Sequence, residues 1–188
     1  MARACRPRSR RAGPFHSGAL AAVLALSAPA HSHPHVFIDG GINFVFGDGA
    51  VLQSLNVNWL YDEFETLYIL SSYGISLNAD GTIDEADQKE LLIQRTKWPS
   101  DFDGSAHLSV AGEPISLEWP TDLATEVIDG RLRMSYTRHL ETPLEAPETG
   151  FEAAFYESTY FFAFKITEPP ELLGSSVVCS AFFLPFDP

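Results

Sequence analysis

The hydrophobic period of this chain switches from two to about 3.6 at Tyr61, and that switch limits the fold more than any other feature. Before it, residues 35–46 tend to alternate: Phe37, then Ile42, Phe44 and Phe46 on one parity after a slip at Gly40-Gly41. This predicts a strand whose glycines mark a bulge or bend. Gly47-Asp48-Gly49 reads as a turn, and residues 51–60, with Val51, Leu55, Val57 and Trp59 on one face, as the returning strand of a hairpin. After the switch, Phe64, Leu67, Tyr68 and Ser71 recur at helical spacing behind Asp62, Glu63 and Glu65. Acids in a first turn suit the positive end of the helix dipole. Gly74 closes this helix and a polar loop spans residues 76–82. A second helix runs from about Asp84 to Lys97, with Ile83, Ala86 and Ile93 on its buried side, and Trp98-Pro99 ends it.

The remainder returns to strands. Residues 106–110 and 115–119 flank a turn at Ala111-Gly112, and residues 123–128 and 131–140 flank Asp129-Gly130. Residues 143–150 form a Pro/Glu-rich linker, residues 151–166 an aromatic region of one or two strands, and residues 177–184 a last strand. The predicted class is α+β: an antiparallel, β-rich domain with an EF-hand-like helix–loop–helix inserted after its first hairpin.

The first thirty-odd of the 188 residues read as an export signal. Arg3, Arg6, Arg8, Arg10 and Arg11 are basic, residues 18–28 are apolar, and Ala28-Pro29-Ala30 is a small-x-small cleavage site. Cleavage after Ala30 or after Ser32 gives a signal peptide within residues 1–32 and one domain over 33–188. The apolar run is too short for a hydrocarbon core that needs about twenty residues, so no membrane insertion is expected once the signal is removed. Losing five arginines leaves seven Lys/Arg against 25 Asp/Glu, a formal net of −18. Such a surface repels phosphate backbones and anionic lipid and favours cations or basic partners, which argues against nucleic-acid binding. Cys5 leaves with the signal, and Cys179 alone forms no internal disulfide.

Two constellations carry metal chemistry. With Gly81 at the sixth position of an EF-hand loop, Ser76, Asn78 and Asp80 occupy the first, third and fifth positions. Thr82 offers its carbonyl at the seventh, Asp84 sits at the ninth and Asp87 at the twelfth. A hard cation wants six to eight oxygens. Ser76 in place of an acid and Asp87 in place of a bidentate Glu weaken calcium and leave Mg²⁺ or an ion-free polar loop as alternatives. The second constellation is His31-Ser-His-Pro-His35, three of six histidines beside the expected new amino terminus. Cleavage after Ala30 gives an amine, two amides and His33 that can wrap Cu²⁺ or Ni²⁺ in a plane. Cleavage after Ser32 puts His33 first; Pro34 then blocks that wrap, and the His33 amine and ring chelate instead, with His35, His107 or His139 completing the shell. His33, His35, Phe37 and Asp39 share one strand parity, so His33, His35 and Asp39 form a candidate cluster; a solvated histidine tail is the plain alternative. His107 and His139, each within a predicted strand, read as ordinary half-buried histidines. Asp62 and Glu63 read first as helix-start acids and second as carboxylates beside the histidines. No nucleophile elbow, phosphate loop, paired-cysteine site or zinc-protease helix is present, so no enzyme is expected; a copper histidine brace with redox activity is the remaining enzyme reading.

His33-Pro-His-Val-Phe-Ile-Asp39, Trp59-Leu-Tyr-Asp-Glu-Phe64, Asn78-Ala-Asp-Gly-Thr-Ile-Asp84, Asp129-Gly-Arg-Leu132 and Tyr156-Glu-Ser-Thr-Tyr-Phe161 together resemble the bacterial family catalogued as domain of unknown function 1007. Its members are often labelled the periplasmic component of an uncharacterised ABC-type transport system. The resemblance implies a periplasmic, metal-handling accessory with a membrane metal permease or exporter as partner and nickel, cobalt, copper or zinc as the ion. It also implies cleavage just before His33. Members tend to carry Asp-Pro where this chain has Glu157-Ser158, and a fuller acidic loop where it has Ser76. A cation-stabilised interaction module without a transition metal is the alternative function.

Overall fold

A computed structural model describes residues 35–100, 102–157, 159 and 161–174. In chain order the elements are β1 (Val36–Phe46), β2 (Val51–Tyr61), α1 (Glu63–Ser72), α2 (Glu85–Arg95), β3 (Ala106–Val110), β4 (Glu113–Ile115), β5 (Thr121–Ile128), β6 (Arg131–Glu145), β7 (Glu152–Phe155), β8 (Phe162–Ile166) and β9 (Leu172–Leu173). The larger sheet has the order β5-β6-β2-β1-β8, with β9 also on β1; the smaller has the order β4-β3-β7.

The first hairpin forms as expected, and β5–β6 closes across Asp129-Gly130. The class does not. Strands hold 47% of the described residues and helices 15%, so the domain is mainly β rather than α+β. The main sheet is mixed rather than antiparallel: β8 runs parallel to Val36–Gly40 and β9 parallel to Phe44–Val45. The expected aromatic region divides into β7 and β8, which belong to different sheets, and residues 156–161 carry the chain across. Hydrophobic alternation records which face of a strand is buried but not which neighbour it takes, so this crossover left no local mark. Two further bounds differ: β6 runs on to Glu145, and β4 ends at Ile115, leaving Leu117 in a single bridge to Leu140. The expected strand over 177–184 lies outside the described residues.

The helix–loop–helix follows the first hairpin, as α1 and α2. Asp80 Oδ1 accepts from the backbone N–H (3.1 Å) and hydroxyl (2.6 Å) of Thr82, and Asn78 Nδ2 donates to Asp84 Oδ1 at 3.2 Å. The loop side chains of Asn78, Asp80, Thr82 and Asp84 hydrogen-bond one another. Among the described residues, no three His, Cys, Asp or Glu side chains are grouped to hold a metal ion.

Val36, Ile38, Ile42 and Phe46 of β1 face the core with Leu55, Val57, Trp59 and Tyr61 of β2 and Leu132, Met134 and Tyr136 of β6. Trp59 is the centre of an aromatic cluster, with the Tyr136 ring 5.4 Å and the Phe164 ring 5.6 Å away. The slip expected at Gly40-Gly41 does not occur. Alternation continues through the glycines, the irregularity falls between Val45 and Phe46, and Phe37 points outward, 54% exposed. Gly40 serves close approach: a Cβ there would stand 2.6 Å from the ring of Phe155 in the second sheet.

Helix α1 starts as the sequence predicts, with Asp62 Oδ1 accepting from Glu65 N–H at 2.8 Å. Its buried side is Thr66, Ile69 and Leu70, so the stripe that marked it as a helix faces out. Thr66 fits a core position because its hydroxyl donates to Asp62 O (2.8 Å) and accepts from Leu132 N–H (2.9 Å). In α2, Leu91 is buried while Ala86 and Ile93 are exposed, reversing the expected side except at the preceding Ile83. No helix among the described residues is long and apolar enough to cross a membrane.

Candidate functional site

The described residues of the five segments that carry the family resemblance gather at one end of the larger sheet. Arg131, first residue of β6, donates from Nε to Tyr61 O (2.8 Å) and from Nη2 to Leu60 O (3.2 Å) and Asp39 Oδ2 (2.9 Å). One guanidinium therefore joins the start of β6 to β1 and to the end of β2. Asp62 N–H donates to Phe37 O at 3.2 Å. At the β1 end, His35 N–H donates to Phe161 O at 2.9 Å, and the His35 and Phe161 rings lie 5.3 Å apart. Glu157 shapes the approach to β8, accepting from the N–H (3.0 Å) and hydroxyl (2.5 Å) of Thr159 and from the N–H groups of Phe161 and Phe162. Partial burial pushes its carboxyl up, but these four donors outweigh burial and hold it below the usual glutamate range. The fifth segment reaches the same end at Gly81, where a Cβ would lie 3.5 Å from Gly130 N.

Between these elements lies an open cleft of about 480 Å³ lined by Asp39, Asp62, Glu63, Phe64 and Arg131. Three of its four charged carboxylate or guanidinium side chains are already engaged: Asp39 with Arg131, and Asp62 as the helix cap. Glu63 is exposed and makes no side-chain bond among the described residues. The next cation along, Arg95 of α2, donates to the Tyr61 hydroxyl at 3.0 Å and stands 5.5 Å over its ring. Burial pushes the Tyr61 hydroxyl up in pKa despite that arginine. Burial likewise raises the Glu65 carboxyl, with Arg95 opposing and Asp62 adding to the rise. The cleft is thus acidic, open and backed by a rigid frame, suited to receiving a cationic group.

Of the expected metal residues, His33 lies outside the described residues. His35 and Asp39 share the outward parity of β1, as predicted. Four residues of strand separate them, roughly 13 Å of rise, and Asp39 faces Arg131. Asn78, Asp80, Thr82 and Asp84 are brought together by their mutual hydrogen bonds. Ser76 instead lines a groove against α1, and Asp87 lies in the first turn of α2. Asp80 is held below the ordinary aspartate range by the Thr82 hydroxyl and backbone N–H. His107 belongs to the second sheet, where its ring stacks on Tyr156 at 3.6 Å and its Nε2 lies 3.0 Å from Tyr156 O. His139 pairs with Ser54, level with Val45 and ten residues along β1 from His35, roughly 33 Å by strand rise. His139 is thus remote from His35. The residue that sequence reasoning missed is Arg131. Its one local signal was an arginine directly after an Asp-Gly turn.

Fold and site define a mainly β, mixed-sheet domain with an acidic strand–helix junction at one end of its larger sheet. The chain belongs to the family described as "Protein of unknown function (DUF1007)", whose model matches residues 18–185. Among curated proteins and among solved structures, nothing matches the chain.

Proposed function

We propose that this protein is an exported, periplasmic accessory of a transition-metal transport system. It captures nickel, cobalt, copper or zinc as cargo and hands the ion to a membrane permease or exporter. The supporting observation is the position of His35. Its backbone is pinned to Phe161 at the end of β1, next to the strand–helix junction that carries Asp39, Asp62 and Glu63. The anchored His35, with His33 two positions before it in the sequence, belongs to the same end of the sheet as an acidic cleft that raises the local cation concentration. Imidazoles suit this group of metals. The weak retention an exchangeable carrier needs follows from a site with few ligands. With the metal as cargo, the protein performs no bond-making chemistry.

The test is competition for Ni²⁺, Cu²⁺ and Zn²⁺ between a chromophoric chelator and the natively exported, untagged protein. The expected result is one equivalent of one metal, with affinity falling at least tenfold, about 1.4 kcal/mol, in His33→Ala and in His35→Ala. Equal uptake by the wild type and both variants would overturn the proposal.

A further inference from the structure

Helix α1 carries two apolar stripes, and among the described residues only one is packed into the core. Thr66, Ile69 and Leu70 enter the core. Phe64, Leu67 and Tyr68, at i, i+3 and i+4, are 81%, 54% and 63% exposed. Together with Leu70, Ser71 and residues 75–77 they line a groove of about 520 Å³. Phe64 lines both this groove and the acidic cleft, so the two hollows adjoin at its side chain. A Phe side chain left in water forgoes about 2 kcal/mol or more of burial, and three such residues at helical spacing form the pattern by which one surface receives an amphipathic segment.

We propose that the α1 groove and the adjoining acidic cleft form one docking site for a basic, amphipathic polypeptide segment of a partner protein. Apolar side chains of that segment fill the groove between Phe64, Leu67 and Tyr68, and its Lys or Arg side chains face Glu63 and the cleft carboxylates. The charges select this occupant. A second copy of the chain would set the same carboxylates against themselves, and anionic lipid meets a chain of net charge −13 even with its basic leader counted. Arg131 offsets one of the cleft's three carboxylates, its ion-pair partner Asp39, and leaves Asp62 and Glu63 in excess. The partner's role in transport rests on the reading above; docking itself requires no metal.

The experiment is fluorescence anisotropy of a labelled synthetic helix-forming peptide, with Leu and Phe at i, i+3, i+4 and i+7 and lysines elsewhere, titrated with metal-free protein. The proposal expects saturable one-to-one binding that weakens with added salt. It expects at least a tenfold loss in Phe64→Ser/Leu67→Ser, and a reversal of preference in Glu63→Lys toward the analogue with glutamates for lysines. Because Phe64, Leu67 and Glu63 are exposed, these variants should melt with the wild type. Equal binding by wild type and double variant, or equal binding of the basic and acidic peptides, would overturn it. So would Phe64-dependent dimerisation in sedimentation, or Phe64-dependent binding to phosphatidylglycerol vesicles in place of peptide. Metal competition on the double variant separates the two proposals: a failed docking site leaves metal uptake intact, and a failed metal site leaves peptide binding intact.

Discussion

Arg131→Met should destabilise the domain by about 2–3 kcal/mol, and the magnitude follows from what the guanidinium holds. Its Nε and Nη2 donate to the carbonyls of Tyr61 and Leu60 at 2.8 and 3.2 Å, where β2 passes into α1. Hydrogen bonds from charged donors contribute about 1.5–3 kcal/mol when well buried. Here the side chain is a quarter exposed, so about 1 kcal/mol each is the appropriate scale. The ion pair to Asp39 at 2.9 Å is open enough to be screened and adds about 0.2–1 kcal/mol. Methionine retains most of the apolar stem, so the loss reports the polar contacts. Asp39→Asn, which removes only the charge, should cost about 0.5 kcal/mol. Urea unfolding at pH 7 measures both: at a slope of about 1.5 kcal/mol per molar, Arg131→Met lowers the midpoint by roughly 1.5–2 M with the slope unchanged. A loss under about 0.5 kcal/mol would refute the clamp. A loss in Asp39→Asn equal to that in Arg131→Met would show that the ion pair, not the carbonyl contacts, is the fastening.

Two further outcomes test the frame. Gly40→Ala sets a methyl 2.6 Å from the Phe155 ring and should cost about 1–3 kcal/mol by overpacking. Gly41→Ala meets the Glu168 side chain, whose Oε2 at 2.6 Å can swing away while its Cβ at 3.0 Å must give slightly, and should cost less than Gly40→Ala; equal losses in urea unfolding would deny the close approach of the second sheet. Glu157 has a folded pKa below its unfolded value near about 4.3, so the charged form favours folding. Its contribution is fully present above that value and fades as pH falls through the folded pKa. Glu157→Gln should therefore be less stable at pH 7, and its deficit should shrink from pH 5 to pH 3; urea midpoints offset equally at every pH would contradict the assigned bonds.

Much of the local structure was legible in the sequence. The first hairpin, the Asp62 cap, the two short helices and the β5–β6 turn each follow from period, capping or turn chemistry confined to a few residues. What was not legible depends on distant partners. Phe64, Leu67 and Tyr68 made a better apolar stripe than Thr66, Ile69 and Leu70, and the inward face depends on distant partners: the core that takes Ile69 and Leu70, and Leu132 N–H on the Thr66 hydroxyl. Gly40-Gly41 looked like a break because the ring that needs Gly40 belongs to Phe155, far along the chain. The parallel seats of β8 and β9 beside β1 come from a crossover that alternation does not encode. The same holds for the site. His35, Asp39, Asp62 and Glu63 were visible as residue types, whereas Arg131, which fixes three segments together, acquires its role only once β6 lies beside β2.

The most direct test of the account is intact mass spectrometry of the natively exported, untagged protein, sprayed under native conditions with Ni²⁺, Cu²⁺ and Zn²⁺. The account predicts a chain beginning at His33 that holds a single transition-metal ion, with the ion absent from His33→Ala. A chain beginning well past His35, or no metal retained below about 100 µM, roughly −5.5 kcal/mol of binding, would contradict it.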